Sequence, residues 1–269
     1  MKTWFIATAL ITAVAAATAQ AQPTDPLKAA VAADHRSVGN VARDGARHPY
    51  ETLSFFGLKP TDTVVELVPG GGWYTEILAP YLREQGKFIA AGDDPASSSA
   101  YAQRSAARLK GKMDSLGVYS KVQISVFDPV AGKLDFAPPG SADAVLTFRN
   151  VHNWMGSGTA QSVFNAAFKA LKPGGTLGVV EHRLPAARPQ DPKGGNGYVH
   201  EAAVIKFAET SGFKLAAKSE VNANPKDTAD HEQGVWALPP TFANKDKDRA
   251  KYQAIGESDR MTLKFTKPL

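Results

Sequence analysis

Three successive glycines interrupt the segment VVELVPGGGWYTEIL, residues 64–78, between an apolar run and a helical pattern. A glycine-rich turn after a buried parallel strand lets the backbone pass close to a ligand, and the following helix directs its first N–H groups at that ligand. Gly70, Gly71 and Gly72, with Glu66 on the strand, are therefore predicted to cradle a nucleotide or nucleoside. Tight turns also use glycine, so the prediction depends on the strand before the loop and the helix after it.

Two histidines stand where proton-transfer chemistry is possible. His152 comes a few residues after the apolar run 144–148, and His182 follows the run 177–180. Ligands of open α/β sheets bind at the carboxyl ends of strands, and an imidazole can accept a proton near pH 7. A structural or surface role is the alternative for both residues, and also for His200.

A metal site is a competing interpretation of the same residues. His152, His182, His200 and Glu181 could converge on one edge of the sheet and offer ligands for zinc or iron. The sequence contains no H-x-H or H-x-x-x-H pair, so convergence would depend on tertiary structure alone. We therefore predict no metal.

The elements that must position these residues alternate between strand and helix. Amphipathic helices are predicted over residues 102–116 and 164–171, where apolar residues recur at spacings of three and four. A helical cap is predicted before the first strand. Short apolar runs predict five strands, at residues 63–67, 88–91, 122–127, 144–148 and 177–180. This alternation predicts an α/β fold with a doubly wound, mostly parallel sheet.

The C-terminal part breaks the alternation. Residues 213–221 and 261–268 have strand patterns, and the segment between them is rich in Asn, Asp, Pro and Lys without a helical pattern. No crossover helix is expected there, so the last strand is predicted to be antiparallel. With no internal repeat, residues 22–269 are predicted to form one domain, divided into a cap (22–58) and a sheet core (59–269).

Composition describes an ordinary globular protein. The chain has 269 residues, of which 43% are hydrophobic and 21% are charged. Its net charge of +5 comes without a run of five basic residues, which argues against a nucleic-acid partner and favours anionic small ligands weakly. The sequence carries no signal for an oligomeric state.

Residues 1–21 have the pattern of a cleaved signal peptide. A positive start precedes the apolar run 4–17, which is too short to span a bilayer, and small residues at 19 and 21 favour cleavage before Gln22. A buried N-terminal helix is the alternative. The chain has no cysteine to carry a lipid. A periplasmic or secreted protein without a stable membrane anchor is therefore expected.

Several segments carry a family resemblance. VVELVPGGGWYTEILAPYL, DAVLTFRNVHNW and LKPGGTLGVVEHR together resemble class I S-adenosylmethionine-dependent methyltransferases over roughly residues 48–218, and FRNVHN and LKPGG are similar to the ubiquinone/menaquinone C-methyltransferase branch. GYVHE, NANPKD and ESDRMTLKFTKP resemble an exported bacterial group of predicted methyltransferases. The resemblance implies a Rossmann-like seven-stranded sheet with an antiparallel last strand, S-adenosylmethionine as cofactor and a small-molecule acceptor.

The resemblance also implies roles for individual residues toward the cofactor. Glu66 would organise the glycine loop, and Gly70, Gly71 and Gly72 would face the methionine part. Asp93, just after the second strand, would hold the ribose hydroxyls. Asp128 matches the position near the adenine amino group, with turn formation as an equal alternative. Asn150 stands where cofactor contacts are usually made.

Methyl transfer is an in-line displacement, and it needs a general base when the acceptor atom carries a proton. His152 is the first choice for this base and His182 the second. Trp73, Trp154 and Tyr198 could form walls of the pocket, although aromatic residues more often belong to a core.

Two features favour a different function on the same fold. Val68 stands where the glycine pattern has its first glycine, and a β-branched side chain there would crowd the methionine part of the cofactor. Export would also separate the chain from S-adenosylmethionine, which is made in the cytoplasm. The alternatives are an exported protein that binds a nucleoside or small ligand without methyl transfer, and a non-methylating enzyme on this scaffold.

Overall fold

The computed structural model describes Met1 and residues 25–269. The predicted signal peptide, residues 1–21, therefore lies outside the described residues except for Met1. In the part that is described, no helix is long and apolar enough to cross a membrane.

A single sheet organises the protein. Its main path has the order β3-β2-β1-β4-β5-β8-β7, and β6 pairs only with β5. The first five strands are parallel, whereas β8 is antiparallel to both β5 and β7. The predicted seven-stranded sheet with an antiparallel last strand is confirmed, with the two-residue β6 as an addition. The strands are β1 Thr63–Leu67, β2 Lys87–Gly92, β3 Gln123–Val126, β4 Ala142–Phe148, β5 Leu171–Leu184, β6 Val199–His200, β7 Lys214–Ser219 and β8 Arg260–Thr266.

In the described chain, from residue 25 onward, four short helices precede the sheet, in agreement with the predicted cap. Three of them lie within residues 26–47. The fourth begins at Pro49, whose fixed φ suits a first helical turn, and it ends at Gly57, which has a φ of 78°. The cap helices are α1 Pro26–Val31, α2 Val38–Val41, α3 Asp44–Arg47 and α4 Pro49–Phe56.

The remaining helices cover the two faces of the sheet. Successive residues of β1 point to opposite sides, so Val64 packs with α1, α4 and the helices at residues 75–82 and 100–115, whereas Val65 packs with the helices at residues 151–156, 160–170 and 201–210. This arrangement is the doubly wound three-layer fold that the alternating pattern predicts. These helices are α5 Thr75–Leu82, α6 Ala100–Ser115, α7 Val151–Gly156, α8 Ala160–Ala170, α9 Glu201–Thr210 and α10 Arg249–Ile255.

The expectation of no helix between the last two strands is wrong. The helix α10 lies there, preceded by a 3-10 turn at Gly234–Ala237. Only Tyr252 of α10 is buried, so the helix has no apolar stripe that a sequence pattern could reveal. The helix does not act as a crossover, because β8 runs antiparallel to β7 as predicted.

Candidate functional site

Two cavities adjoin at the carboxyl ends of β1, β2 and β4, where the strand order reverses. The first has a volume of about 410 Å³ and is called the arginine-lined cavity after Arg43, Arg47 and Arg149. The second has a volume of about 710 Å³ and is called the aspartate-lined cavity after Asp93 and Asp128. Four residues line both cavities, which therefore form one groove: Val68, Tyr101, Asn150 and Asn153.

The glycine loop forms one wall of the arginine-lined cavity. Gly70 and Gly72 have left-handed φ values of 57° and 77°, which glycine adopts without strain. Gly70 and Gly71 line the cavity, and a Cβ added at either would meet no atom within 4 Å. A Cβ at Gly72 would instead lie 2.7 Å from Cδ of Lys112. Gly70 and Gly71 thus leave open space for a ligand, whereas Gly72 packs closely against the Lys112 side chain.

Val68 adopts the left-handed conformation that a glycine would adopt freely. Its φ is 51°, and its N–H donates to the carbonyl of Ala91 at 2.8 Å. This backbone region strains a β-branched residue by about 1–3 kcal/mol. The loop therefore follows the path expected of the glycine pattern, and the half-buried Val68 side chain stands at the boundary of the two cavities.

Glu66 is a buried carboxyl at the edge of the arginine-lined cavity. Its Oε2 accepts a hydrogen bond from the Thr75 hydroxyl at 2.7 Å, which ties β1 to the start of α5. Burial raises the pKa of Glu66 to about 7, against the opposing effect of the Thr75 hydrogen bond. The residue is therefore poised to change its charge near neutral pH.

The aspartate-lined cavity contains the residues predicted for the nucleoside. Asp93 follows β2 directly, is half-buried, and has no hydrogen-bond partner for its carboxylate among residues 25–269. The Asp94 carboxylate already has two partners, because it pairs with Lys133 and accepts a hydrogen bond from the Ala96 N–H at 2.9 Å. Asp93 is thus the carboxylate that remains available to a ligand.

Asp128 combines both of the roles considered for it. It lines the aspartate-lined cavity, and its Oδ1 accepts from the Ala131 N–H at 3.0 Å in the turn after β3. Asn150 lines both cavities, and its amide donates to the Leu67 carbonyl and the Thr147 hydroxyl, each at 3.2 Å. The Asn150 side chain therefore joins the ends of β1 and β4 beneath the groove.

The two histidines come together around one buried carboxylate. Glu181 accepts from the backbone N–H of His152 at 3.2 Å and of His182 at 2.7 Å, and its Oε1 lies 3.1 Å from Nδ1 of His152. A carboxylate at Nδ1 favours the tautomer whose Nε2 can accept a proton. The ring centroids of the two histidines are 5.6 Å apart, and both rings line the arginine-lined cavity.

His182 differs from His152 in its environment. Its Nδ1 lies 2.5 Å from the Ser258 hydroxyl, and burial, followed by the charges of His152 and Arg149, lowers its pKa well below the usual value. The His182 imidazole is therefore neutral at pH 7.

The group considered as a metal site assembles only in part. Ligand atoms of His152, Glu181 and His182 lie within 4.8 Å of one another, whereas Nε2 of His200 lies 2.8 Å from the Arg188 carbonyl, away from both cavities. Arginine charges act on His182. These surroundings favour an anion over a metal cation.

The three aromatic residues considered as pocket walls are placed differently. Trp73 lines the arginine-lined cavity and Trp154 lines the aspartate-lined cavity. Tyr198 lines neither, because it is fully buried and its hydroxyl donates to Asp227 at 3.0 Å. Trp236, which the sequence did not suggest, packs edge-on against His152 at 6.0 Å between ring centroids.

The arginines are the main functional residues that the sequence patterns missed. Arg43 precedes α3 and Arg47 is its last residue, Arg149 follows β4, and Arg260 begins β8. Three of them share Glu257: Nε of Arg43 lies at 2.6 Å, Nε of Arg47 at 3.3 Å and Nη1 of Arg260 at 3.2 Å. Nothing in the sequence groups these residues, although Arg149 lies inside the quoted motif FRNVHN.

Charge repulsion is strong in this cluster. Burial, followed by the charge of Arg149, lowers the pKa of Arg47 to about 9, and burial, followed by the charges of Arg260 and Arg43, lowers that of Arg149 to about 10. Burial alone would raise the pKa of Glu257, but the Arg43 hydrogen bond and the other arginine charges lower it to about 2. The cavity therefore has an excess of positive charge.

Comparisons with known proteins define the fold class. No protein-family model and no curated protein sequence matches the chain. Solved structures match it over most of its length. A SAM dependent methyltransferase from Aquifex aeolicus has a TM-score of 0.57 at 16% identity, covering 90% of this chain and 98% of that one. The fold is thus that of the S-adenosylmethionine-dependent methyltransferases, as the motifs predicted.

Two further structures show how varied the proteins with this fold are. The (4+2)-cyclase SpnF has a TM-score of 0.57 at 17% identity, covering 91% of this chain and 93% of that one. A geranyl diphosphate methyltransferase in complex with SAM has a TM-score of 0.54 at 13% identity, covering 89% and 94%. At these identities the likeness concerns the fold, and the chemistry must be argued from the groove itself.

Proposed function

We propose that this protein is an S-adenosylmethionine-dependent methyltransferase that acts on a small molecule. The observation that carries the proposal is the groove itself. Gly70 and Gly71 leave open space in the arginine-lined cavity, and Asp93, whose carboxylate has no partner among the described residues, lines the aspartate-lined cavity. Both cavities lie where the strand order of the sheet reverses. The geranyl diphosphate enzyme with the same fold was solved with SAM, which supports this choice of cofactor.

The groove offers partners to each part of the cofactor. Asp93 has a free carboxylate for ribose hydroxyls, and Asp128 lies in the same cavity, where adenine would bind. Gly70 and Gly71 leave the space that the methionine part needs, next to Glu66. When bound, S-adenosylmethionine supplies an electrophilic methyl group, and the protein's own task is to align the acceptor.

His152 is the residue that we assign to proton removal. Its ring lines the cavity, and Glu181 at Nδ1 holds the tautomer in which Nε2 accepts a proton. His182 is poorly suited because its low pKa makes it a weak base. Glu181 has the role of orienting His152.

Two alternatives remain distinct from this proposal. A binding protein without transfer would take up the cofactor or another nucleoside but would release no methylated product. A non-methylating enzyme on the same scaffold has a precedent in the fold of the SpnF cyclase. Strained Val68 beside the glycine loop favours neither alternative, because it leaves the loop path intact.

Calorimetric titration with S-adenosylmethionine and S-adenosylhomocysteine tests the proposal. Gly71→Val places a side chain in open space of the cavity without a left-handed φ, so the fold should persist while binding weakens by about a hundredfold or more. Gly117→Val is the matched control, because Gly117 also has open space but lies away from both cavities. Its affinity should equal that of the wild type.

Either of two results would eliminate this function. The first is a wild-type protein that binds neither compound at millimolar concentration. The second is unchanged affinity in Gly71→Val, which would mean that the loop is only a turn. Gly72→Val is a weaker test, because its φ of 77° and the nearby Lys112 would strain the fold.

We also propose that the protein is exported, on the pattern of residues 1–21. The expected product is a mature chain beginning near Gln22 in the periplasmic fraction or the medium. N-terminal sequencing of protein from its natural host checks this. A full-length cytoplasmic chain would reverse the proposal and place the protein with its cofactor supply.

A further inference from the structure

The Arg149 side chain lines the arginine-lined cavity. Its half-buried guanidinium makes no hydrogen bond to any residue of the described chain, and its backbone has a left-handed φ of 63°. A non-glycine residue in this conformation is uncommon, and such strain concentrates at functional sites. The Arg149 N–H donates to the Val180 carbonyl at 2.7 Å, which anchors the strained backbone to β5.

The Arg47 guanidinium also has an unsatisfied hydrogen-bond donor among the described residues. Only 2% of Arg47 is exposed, and its Nη2 has no hydrogen-bond partner in the described residues. The Arg47 guanidinium lies over the Trp73 ring, with Cζ 4.8 Å from the ring centre, which is a cation–π contact. A buried unpaired N–H costs free energy unless a ligand satisfies it.

The protein's own carboxylates do not balance these charges. Arg36 is already paired with Asp44 at 2.6 Å. Of four further guanidiniums, those of Arg43, Arg47 and Arg260 share Glu257, and that of Arg149 has no hydrogen-bond partner among the described residues. The Glu181 carboxylate is also nearby, but it already accepts hydrogen bonds from the backbone N–H groups of His152 and His182 and contacts the His152 ring. Even when both carboxylates are counted, the four guanidiniums leave two positive charges in excess among the described residues.

The cofactor would not remove this excess. S-adenosylmethionine carries a sulfonium, an ammonium and one carboxylate, so it brings a net charge of +1 into the groove. Its carboxylate can occupy one arginine, but the total positive charge then rises. A second anion is needed beside the cofactor.

We infer that the arginine-lined cavity binds a methyl acceptor that carries a small oxyanion, a carboxylate or a phosphate group, with Arg149 and Arg47 as its partners. This inference rests on the proposed function. Guanidinium groups bind both oxyanions through paired N–H donors. Arg149 lies three residues before His152 at the end of β4, so the oxyanion end of the acceptor is held close to the base.

The test titrates inorganic phosphate, and separately acetate, into protein saturated with S-adenosylhomocysteine. The wild type should bind one of the two anions at the cavity without losing the nucleoside. Arg149→Gln should weaken anion binding by about tenfold or more and leave the affinity for S-adenosylhomocysteine within about threefold. Comparing phosphate with acetate identifies the preferred oxyanion.

Two further variants keep the result specific. Arg149→Lys retains the charge but not the paired donors, so its anion affinity should lie between those of the wild type and Arg149→Gln. Arg108→Gln removes one charge from the exposed face of α6, away from both cavities, and should behave as the wild type. Equal losses in Arg149→Gln and Arg108→Gln would mean a net-charge effect, which overturns the inference.

Failure of the inference and failure of the proposed function are distinguishable. Absence of anion binding to the saturated protein, or competition between anion and S-adenosylhomocysteine, would overturn the inference, because the arginines would then serve the cofactor alone. Absence of S-adenosylhomocysteine binding would contradict the proposed function. In that case the same titration of ligand-free protein still tests the anion site, and unchanged binding in Arg149→Gln would refute it.

Discussion

The two cavities lie side by side but are built in different ways. The aspartate-lined cavity takes Asp93 and Asp128 from the ends of neighbouring parallel strands, so the sheet itself positions its carboxylates. The arginine-lined cavity collects side chains from the cap and from the end of β4, supported by a glutamate next to β8. On the proposed function, the aspartate-lined cavity holds the adenosine part of the cofactor, whereas the arginine-lined cavity holds its methionine part at the glycine loop and the acceptor beside it.

The same contrast holds for charge. Asp93 stands in an open cavity as an uncommitted acceptor of hydrogen bonds, which suits hydroxyl groups. The arginines stand over a smaller cavity and repel one another, which suits an anion. Substitutions of Asp93 and of the residues assigned to the acceptor should therefore affect different steps.

The largest expected effect is on turnover in the arginine-lined cavity. His152→Ala should lower turnover by about 10²-fold or more and leave cofactor affinity nearly unchanged, because a general base acts on the acceptor. Transfer of a radiolabelled methyl group from S-adenosylmethionine to a mixture of small carboxylates and phosphate esters measures it, alongside calorimetry. If His182→Ala were the inactive variant instead, the base would lie on β5.

Glu66 should show the next largest effect, in stability against pH. Its folded pKa of about 7 lies above the ordinary 4.5, so its contribution to stability is fully present below about pH 4.5 and is lost as the pH rises to about 7. Glu66→Gln should not show this loss. The difference in free energy of unfolding, variant minus wild type, should therefore increase by up to about 3 kcal/mol from pH 4.5 to pH 8. Urea unfolding at both pH values measures it, and a constant difference would contradict it.

Asp93 should have a smaller effect, confined to the cofactor. Asp93→Asn replaces a free carboxylate by an amide and should weaken S-adenosylhomocysteine binding by about tenfold, the cost of one charge-assisted hydrogen bond. Asp128→Asn should weaken this binding less, because one oxygen of Asp128 already accepts a hydrogen bond from the Ala131 N–H. Calorimetry of the two variants side by side checks the order. A larger loss of affinity in Asp128→Asn than in Asp93→Asn would mean that the principal contact to the cofactor comes from Asp128, after β3.

Val68 should have the smallest effect. Val68→Gly relieves the left-handed strain but loses apolar packing and adds freedom to the unfolded chain, so the free energy of unfolding should change by less than about 1 kcal/mol. Cofactor affinity should stay equal or rise, because the side chain stands at the boundary of the groove. Lost affinity would mean that Val68 contacts the cofactor.

Sequence patterns predicted the central strands well because β1, β2 and β4 are mostly buried and short. The run 63–67 coincides with β1, and the antiparallel β8 followed from the absence of a crossover pattern. The glycine loop and Asp93 were also predictable, since both lie next to strand ends that the patterns locate.

The arginine cluster was not predictable in this way. Arg43 and Glu257 are 214 residues apart and meet only because the cap and the segment before β8 pack on the same edge. The left-handed φ of Val68 was equally hidden, because a valine in a glycine position predicts a different path. Tyr198 turned out to be core for the same reason: only packing places its hydroxyl on Asp227.

A crystal structure of the protein grown with S-adenosylhomocysteine and phosphate tests the central claim most directly. The adenosine should lie in the aspartate-lined cavity with its ribose at Asp93, the homocysteine end should lie beside Gly71, and phosphate should contact Arg149. Adenosine bound elsewhere, or an empty groove at saturating S-adenosylhomocysteine, would contradict the assignment of this groove to a methyltransferase.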